Sequence, residues 1–274
     1  MFCYRHPDRE AYVRCQRCER LICPDCQVEA SVGFLCVEDA GGSQRQNNVR
    51  ALRFAPGRPV ITQLLIAINV ALYALQILTN GTLTSYLYYV PIATLIEPWR
   101  MITAGFIHSD SLFSDPSSVL HILLNMYSLW IFGQVLEPML GRARFLALYL
   151  ISIFGGSVAV LWFGNVMGGV VGASGGIFGL MGAYFVVLRS LGVNSSSMVG
   201  VIGINLVFTF LNPGISWQAH VGGLLIGALV TYVYSQTRNV SQQKVQTIAL
   251  IAISVALVAA SYIRAEQIMS GLTL

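Results

Sequence analysis

The sequence predicts an all-α polytopic membrane protein with a small metal-binding domain at its N-terminus. Of the 274 residues, 55% are hydrophobic and 10% are charged, whereas soluble domains carry about 25% charged residues. Nine Arg and seven acidic residues lie in the first 58 positions, so the rest of the chain is nearly free of charge. All six Cys lie in the same first segment. This composition argues against a soluble fold and divides the chain into a polar head and an apolar body.

The polar head contains four pairs of metal-ligand residues, each pair with two residues between its members. This spacing lets two ligands reach one tetrahedral zinc ion. The four residues between Cys18 and Cys23 are too few for adjacent pairs to close comfortably on one ion, so interleaved pairs are favoured. The arrangement resembles a B-box-type cross-braced zinc finger over residues 1–40. The first ion is then held by Cys3, His6, Cys23 and Cys26, and the second by Cys15, Cys18, Cys36 and Asp39.

A disulfide framework is the alternative interpretation of the Cys-rich head. Disulfides need an oxidising compartment, whereas the arginine pattern described below places the head in the cytosol. Two structural zinc ions are therefore the expected cofactors, and because protein fills every ligand position we expect a structural or partner-binding role. Residues 41–58, with Gly, Ser, Gln, Asn and four Arg, are expected to form a flexible basic linker next to the membrane.

Charge-free stretches in the body predict seven membrane-spanning helices. About 20 apolar residues cross the roughly 30 Å of hydrocarbon in a bilayer. Two of the stretches are long enough for two helices each, and the breaks between these helices are expected at Gly164–Gly172 and at Asn212–Gly214. The expected spans are residues 60–78, 118–136, 144–163, 175–190, 197–211, 217–235 and 245–263.

Arginine positions predict the orientation of these spans. Four Arg between residues 45 and 58 precede the first span with no acid among them, which by the positive-inside rule places the N-terminus in the cytoplasm. Seven spans then put the C-terminus outside, in a multi-pass protein of the plasma (inner) membrane. The net charge of +4 is explained by this topology, and no nucleic acid partner is expected. The positive residues on later inner loops agree with it, namely Arg142, Arg144, Arg189, Arg238 and Lys244.

Two polar residues stand out among small residues, one at the mouth of a span and one inside a span. Ser174 opens the fourth span within Gly-Ala-Ser-Gly-Gly, and His220 lies near the start of the sixth within Ala-His-Val-Gly-Gly. Gly223 and Gly227 share the helical face of His220, so spans four and six are expected to pack almost backbone to backbone. Such packing would bring Ser174 and His220 within hydrogen-bonding distance. Polar groups inside a bilayer are costly and are therefore candidates for function.

These motifs resemble the signature of the rhomboid family of intramembrane serine proteases. The resemblance covers about residues 60–235 and implies a rhomboid-like six-helix core at 59–235, here followed by an inner loop, an extra C-terminal transmembrane helix and a short tail at 236–274. It implies an endopeptidase in the lipid bilayer that cleaves single-span membrane proteins near the outer membrane boundary. The other residues that carry it are His121 and Asn125 in span two, Trp99 and Arg100 before it, and Glu137 and Arg144 after it.

Ser174 is the expected nucleophile, and His220 is the base that takes its proton. The acidic residues of the body lie in loops or at span ends, so we expect a dyad with no third carboxylate. Phe178, one turn after Ser174, is expected to pack on the imidazole. The resemblance implies an oxyanion hole formed by the side chains of His121 and Asn125 and the backbone N–H of Ser174. No cofactor is expected for catalysis.

The remaining motif residues are expected to be structural. Trp99 and Arg100 suit the membrane interface, where the guanidinium can extend toward water. Glu137 and Arg144 flank the inner turn after span two, and a pair between them could fix that turn. His108 is expected to be an interfacial loop residue.

Two other functions remain as alternatives at this point. A catalytically silent rhomboid-like protein would bind and escort membrane clients, but the presence of both Ser174 and His220 argues against it. A proton-coupled carrier would use His220 in a relay and should contain inverted repeats, and the sequence has no evident internal repeat. A protein partner for the zinc finger is also expected.

Overall fold

The computed structural model describes residues 1–29, 33–40, 58–109 and 117–272. The chain forms two compact units, Met1–Ala55 and Pro56–Leu274. Positions 41–57 of the expected linker lie outside the described residues.

The N-terminal unit consists of two short antiparallel β-hairpins followed by one helical turn at residues 37–40. Its buried side chains are mainly those of the cysteines, with Ala11 and Ile22 beside them. An apolar core of this size does not hold a domain of about 40 residues without a metal or a covalent link. The paired strands are β1 (Val13–Arg14) with β2 (Leu21–Ile22), and β3 (Gln27–Glu29) with β4 (Phe34–Cys36).

The second unit contains seven long helices within its described residues, and each coincides with a predicted span. This confirms the predicted all-α membrane fold. The helices are α1 (Val60–Leu78), α2 (Ser117–Leu140), α3 (Arg142–Phe163), α4 (Ser174–Ser190), α5 (Ser196–Leu211), α6 (Trp217–Gln236) and α7 (Gln243–Leu272).

By length and composition, four segments of the described chain can cross a membrane: Val60–Leu78, Ser118–Leu140, Arg142–Phe163 and Val240–Gly271. Helix α4 is shorter, with 17 residues. At about 1.5 Å per residue it is about 26 Å long, which is less than the roughly 30 Å of hydrocarbon. When its C-terminal end meets one face of the bilayer, its first residue therefore lies below the opposite face.

Helices α4 and α6 pack with their backbones in contact, as the small residues predict. A Cβ atom added to Gly223 would lie 2.0 Å from the carbonyl oxygen of Gly175, and one added to Gly227 would lie 2.2 Å from that of Gly179. Neither position can therefore hold a side chain, since the obstructing atoms are backbone. This contact sets the first turn of α6 against the first turn of α4.

The described part of the connection between α1 and α2, residues 79–109, is folded, and its arginine is buried. It contains two short helices, Thr82–Leu87 and Arg100–Thr103. The guanidinium of Arg100 pairs with Glu97, with an Nη2 to Oε1 distance of 2.9 Å, and donates to the carbonyl of Tyr88 at 3.2 Å. The expectation that Arg100 extends toward water is therefore wrong, because partners inside the connection satisfy its charge. Its neighbour Trp99 is half exposed.

The expected pair between Glu137 and Arg144 is also corrected. Buried Glu137 accepts hydrogen bonds from the backbone N–H groups of Ile61 and Thr62 at 2.9 and 2.8 Å, and from the Thr62 hydroxyl at 2.7 Å. The carboxylate thus caps the first turn of α1, where free N–H groups and the helix dipole favour a negative charge. Arg144 donates from Nε to Gln246 on α7 at 2.7 Å. Each side chain joins two helices that are distant in sequence.

Gly227→Ala is expected to destabilise the protein by about 1–3 kcal/mol or more, because the new methyl group meets backbone that cannot move aside alone. Gly203→Ala on α5 is the matched control, since nothing lies within 4 Å of an added Cβ there. Alanine is favoured over glycine within a helix by about 1 kcal/mol, so the control should unfold at the same temperature or higher. Thermal unfolding in detergent micelles measures both. Equal midpoints for the two variants would contradict the contact.

Candidate functional site

Ser174 and His220 form a hydrogen-bonded pair at the start of two neighbouring helices. Ser174 is the first residue of α4, and His220 lies in the first turn of α6. The Oγ atom of Ser174 lies 2.7 Å from Nε2 of His220. The histidine is buried and the serine is partly exposed. A hydroxyl in contact with an imidazole nitrogen is the arrangement that can activate a serine as a nucleophile.

The segment before Ser174 is tied to the connection between α1 and α2. Tyr89 and Val170 exchange backbone hydrogen bonds of 3.1 and 2.8 Å, and the N–H of Gly172 donates to the carbonyl of Ala104 at 2.9 Å. Gly172 adopts a φ of +121°, which residues with a side chain rarely adopt. These contacts fix the path of the chain into the first turn of α4 and thereby the position of Ser174.

Phe178 packs on one face of the imidazole of His220. Its ring stacks on that of His220, with centroids 4.1 Å apart and planes inclined by 17°. Because Phe178 is one turn after Ser174 on α4, the same helix supplies the hydroxyl and the flat surface that limits rotation of the histidine ring.

Of the two expected oxyanion-hole side chains, His121 lies beside Gly172, two residues before the serine. A Cβ atom added to Gly172 would lie 3.1 Å from Cε1 and Nε2 of His121 and 3.8 Å from Oγ of Ser174. The amide of Asn125 is buried and donates to the carbonyl of His121 in its own helix at 3.1 Å. Since a primary amide has two N–H groups, this bond leaves Asn125 one donor for another acceptor.

The sequence analysis missed one residue near this site and placed another one wrongly. Thr209 on α5 places its Oγ1 atom 2.7 Å from Nδ1 of His220. His108, expected at the membrane interface, is fully buried, and its ring meets that of His121 edge-on with centroids 5.3 Å apart. The sequence feature that could have indicated Thr209 is the break at Asn212–Gly214, because it turns the end of α5 back against the start of α6.

The N-terminal unit brings the eight expected metal ligands into two groups of four. Within each group one donor atom from every residue lies within 4.8 Å of all the others. All six cysteines are free thiols, so the structure has no disulfide framework in this unit. The groups could hold metal ions, and they are interleaved as the spacing predicts: Cys3, His6, Cys23 and Cys26 in one, and Cys15, Cys18, Cys36 and Asp39 in the other.

The distances between donor atoms fit a tetrahedral ion. The sulfur atoms of Cys23 and Cys26 each lie 3.4 Å from Nδ1 of His6. In the second group the sulfur atoms of Cys18 and Cys36 are 3.7 Å apart. Four ligands at about 2.0–2.3 Å from zinc are about 3.3–3.8 Å from one another. Both groups therefore match the size of a zinc site.

Asp39 has the charge that a metal ligand needs. Hydrogen bonds from the thiols of Cys18, Cys36 and Cys15 lower the pKa of Asp39 to about 2. Its carboxylate is therefore ionised at neutral pH and available to a cation. The adjacent Glu38 forms an ion pair with Arg20 instead, at 2.8 Å.

A family model described as "Rhomboid domain" matches residues 96–237 of the chain. The chain is 32% identical over 198 residues to "Rhomboid protease GluP" of Bacillus subtilis (strain 168), which covers 67% of this chain and 36% of that protein. It is 34% identical over 162 residues to "RHOMBOID-like protein 6, mitochondrial" of Arabidopsis thaliana, covering 53% and 49%. It is 34% identical over 148 residues to "Putative rhomboid protease YdcA" of Bacillus subtilis (strain 168), covering 52% and 70%. The chain thus spans half or less of the first two relatives.

Asp39→Asn is expected to weaken the second metal site while leaving the first intact, because the neutral amide is a poorer zinc ligand than a carboxylate. The purified full chain should contain two zinc ions by mass spectrometry. After treatment with a chelator of moderate affinity, the variant should keep one ion under conditions in which the parent keeps two. Glu38→Gln is the matched control, and it should behave as the parent does. Equal zinc loss from both variants would exclude Asp39 as a ligand.

Proposed function

The chain belongs to the rhomboid family, and from that premise we propose that it is an intramembrane serine endopeptidase acting through Ser174 and His220. The observation that carries the proposal is the 2.7 Å contact between Ser174 Oγ and His220 Nε2. This contact occurs at the start of a helix too short to cross the hydrocarbon, and the partly exposed Ser174 is the member of the pair that a peptide bond below the membrane boundary could reach.

In the proposed reaction Ser174 attacks the carbonyl carbon of the scissile peptide. Its proton passes to Nε2 of His220 as the bond between Oγ and carbon forms. The proton then passes to the leaving nitrogen as the peptide bond breaks, and water releases the acyl group by the reverse proton path. Two described carboxylates of the membrane unit have other partners, since Glu97 pairs with Arg100 and Glu137 caps α1. A dyad is consistent with these contacts.

The negative oxygen formed by the attack needs donors already in place. We assign this role to the side chains of His121 and Asn125 and to the backbone N–H of Ser174, a first-turn residue of α4 whose N–H has no acceptor within the helix. A donor of this kind contributes about 3–4 kcal/mol in other serine proteases. The position of the His121 ring next to Gly172, two residues before Ser174, supports the assignment.

The proposed substrates are single-span membrane proteins cut near the outer membrane boundary. A helical substrate must unwind before its peptide bond can reach Ser174, which favours small and helix-weakening residues at the cut. Water must also reach the site, and the partial exposure of Ser174 is consistent with this.

We propose a multi-pass location in the plasma (inner) membrane with the N-terminus in the cytoplasm. The arginine pattern of the sequence supports this orientation. The N-terminal unit then lies in a reducing compartment, where its thiols stay available for two structural zinc ions. We propose that this unit binds a protein partner, because no ligand position of either ion is left open for chemistry.

Ser174→Ala is expected to abolish both cleavage of a transmembrane reporter and labelling by a fluorophosphonate, since both need the same nucleophile. Ser190→Ala is the matched control, because its exposed hydroxyl lies at the opposite end of α4 and bonds the carbonyl of Val187. In-gel fluorescence and reporter cleavage in liposomes measure the two activities. A parent protein that is neither labelled nor active would instead favour a silent client-binding relative.

Asn125→Ala is expected to lower kcat about a hundredfold, because the transition state loses one hydrogen bond that the ground state does not use. Asn69→Ala is the matched control: Asn69 is also buried and also donates to the carbonyl four residues earlier, here Leu65 at 2.8 Å. The two variants should lose similar thermal stability, while the control keeps its kcat. If both substitutions lowered kcat equally, Asn125 would have only a structural role.

A further inference from the structure

We propose that Thr209 is a positioning residue of the dyad and holds the imidazole of His220 in the tautomer that can act as a base. This inference rests on the serine protease function proposed above. Oγ1 of Thr209 lies 2.7 Å from Nδ1 of His220, and Oγ of Ser174 lies 2.7 Å from Nε2 of the same ring. The imidazole is therefore held at both nitrogens between two hydroxyl groups.

The partners of the Thr209 hydroxyl determine the tautomer. Its proton is donated to the carbonyl of Asn205, at 2.8 Å. A hydroxyl has one proton and two lone pairs, so toward His220 the oxygen of Thr209 acts as the acceptor and Nδ1 carries the hydrogen. In a neutral imidazole Nε2 then carries the lone pair, and it accepts the hydrogen bond from Ser174. The opposite tautomer could not take the serine proton.

The same contact persists through the chemical step. When Ser174 Oγ bonds to the peptide carbon, the carbonyl electron pair moves to oxygen and the serine proton moves to Nε2. The ring becomes an imidazolium, and its Nδ1–H donates to Thr209 as a charged donor, which makes a stronger hydrogen bond. The proton on Nε2 leaves with the amine as the C–N bond breaks. Thr209 gains and loses no proton in either step.

The fold turns this hydroxyl inward on a helix that is otherwise little buried. Thr209 lies in the last turn of α5, and His220 lies in the first turn of α6 after a short connection at Asn212–Ser216. Among the residues of α5, only Met198 and Thr209 are buried. The flanking Phe208 and Phe210 are exposed.

A bond to its own helix does not by itself account for Thr209. Threonines in membrane helices commonly donate to the carbonyl four residues earlier, and that bond uses only the proton. The contact with His220 uses a lone pair that would otherwise remain unpaired in a buried site. A carboxylate here would orient the ring equally well, but it would bring a charge into the membrane interior. The hydroxyl gives orientation without that charge.

The kinetic test uses Thr209→Val, which keeps the shape and removes the hydroxyl, with Thr209→Ser as the variant that restores it. The valine variant should lower kcat by about tenfold to a hundredfold, the range for one hydrogen bond to a charged group, with KM unchanged. The serine variant should recover most of this loss. Thr231→Val on α6 is the matched control, because Thr231 is buried and its hydroxyl has no partner within the described chain. It tests whether replacing a buried threonine hydroxyl by a methyl group is enough to lower activity, and it should leave kcat intact.

A spectroscopic test does not depend on activity. In protein labelled with 15N-histidine, the His220 signals, identified by their loss in His220→Ala, should show a protonated Nδ1 and an unprotonated Nε2. Thr209→Val should populate both tautomers. A parent protein with the proton on Nε2, or an unchanged kcat in active Thr209→Val, would overturn the inference. A parent that neither cleaves nor reacts with fluorophosphonate would overturn the proposed protease, and the 15N spectra would still decide whether Thr209 holds the ring.

Discussion

The backbone contact between α4 and α6 is the constraint on which the rest of the site depends. Two helices can approach this closely only where neither has a side chain, and Gly223 meets the carbonyl of Gly175 at that point. Ser174 is adjacent to Gly175 and His220 lies three residues before Gly223, so the same approach brings the hydroxyl to the imidazole. The distance between Ser174 and His220 is therefore set by glycines that take no part in the chemistry of either residue. Phe178 and the tied segment before Gly172 then restrict the orientations that remain.

The site is polar, yet its members are neutral side chains. Ser174, His220, Thr209 and the carbonyl of Asn205 form one chain of hydrogen bonds. The charged side chains of Glu97, Arg100 and Glu137 are instead satisfied by partners at a helix end or inside a connection. Glu137 accepts three hydrogen bonds at the start of α1. This division follows from the cost of burying an isolated charge, which a neutral hydrogen-bonded group largely avoids.

The sequence predicts well those features of the fold that depend on short-range patterns of residues. Apolar stretches and their breaks located all seven helices, and the small residues around Ser174 and His220 indicated which helices meet. Contacts between side chains of distant helices left no such pattern. Glu137 and Arg144 are seven residues apart and of opposite charge, so a pair between them was a reasonable expectation. However, Glu137 bonds Thr62, 75 residues away, because a helix start with free N–H groups satisfies a buried carboxylate better than one flexible partner does.

The spacing of residues in the sequence predicts the ligand groups of the N-terminal unit more completely than it predicts the polar site of the membrane unit. In the N-terminal unit the regular spacing of the pairs identifies all eight ligand residues, and the resemblance to a cross-braced zinc finger indicates the interleaved grouping that the structure has. In the membrane unit the polar residues are far apart in the sequence, and helix packing decides which of them come into contact. Thr209 illustrates the difference, since threonine is common in membrane helices and only the break after it, at Asn212–Gly214, points to it. Its relation to His220 becomes visible only when the short connection after α5 is combined with the rotation of both helices. The role of a polar residue near a tight helix connection therefore depends on which residue it contacts on the other side of the turn.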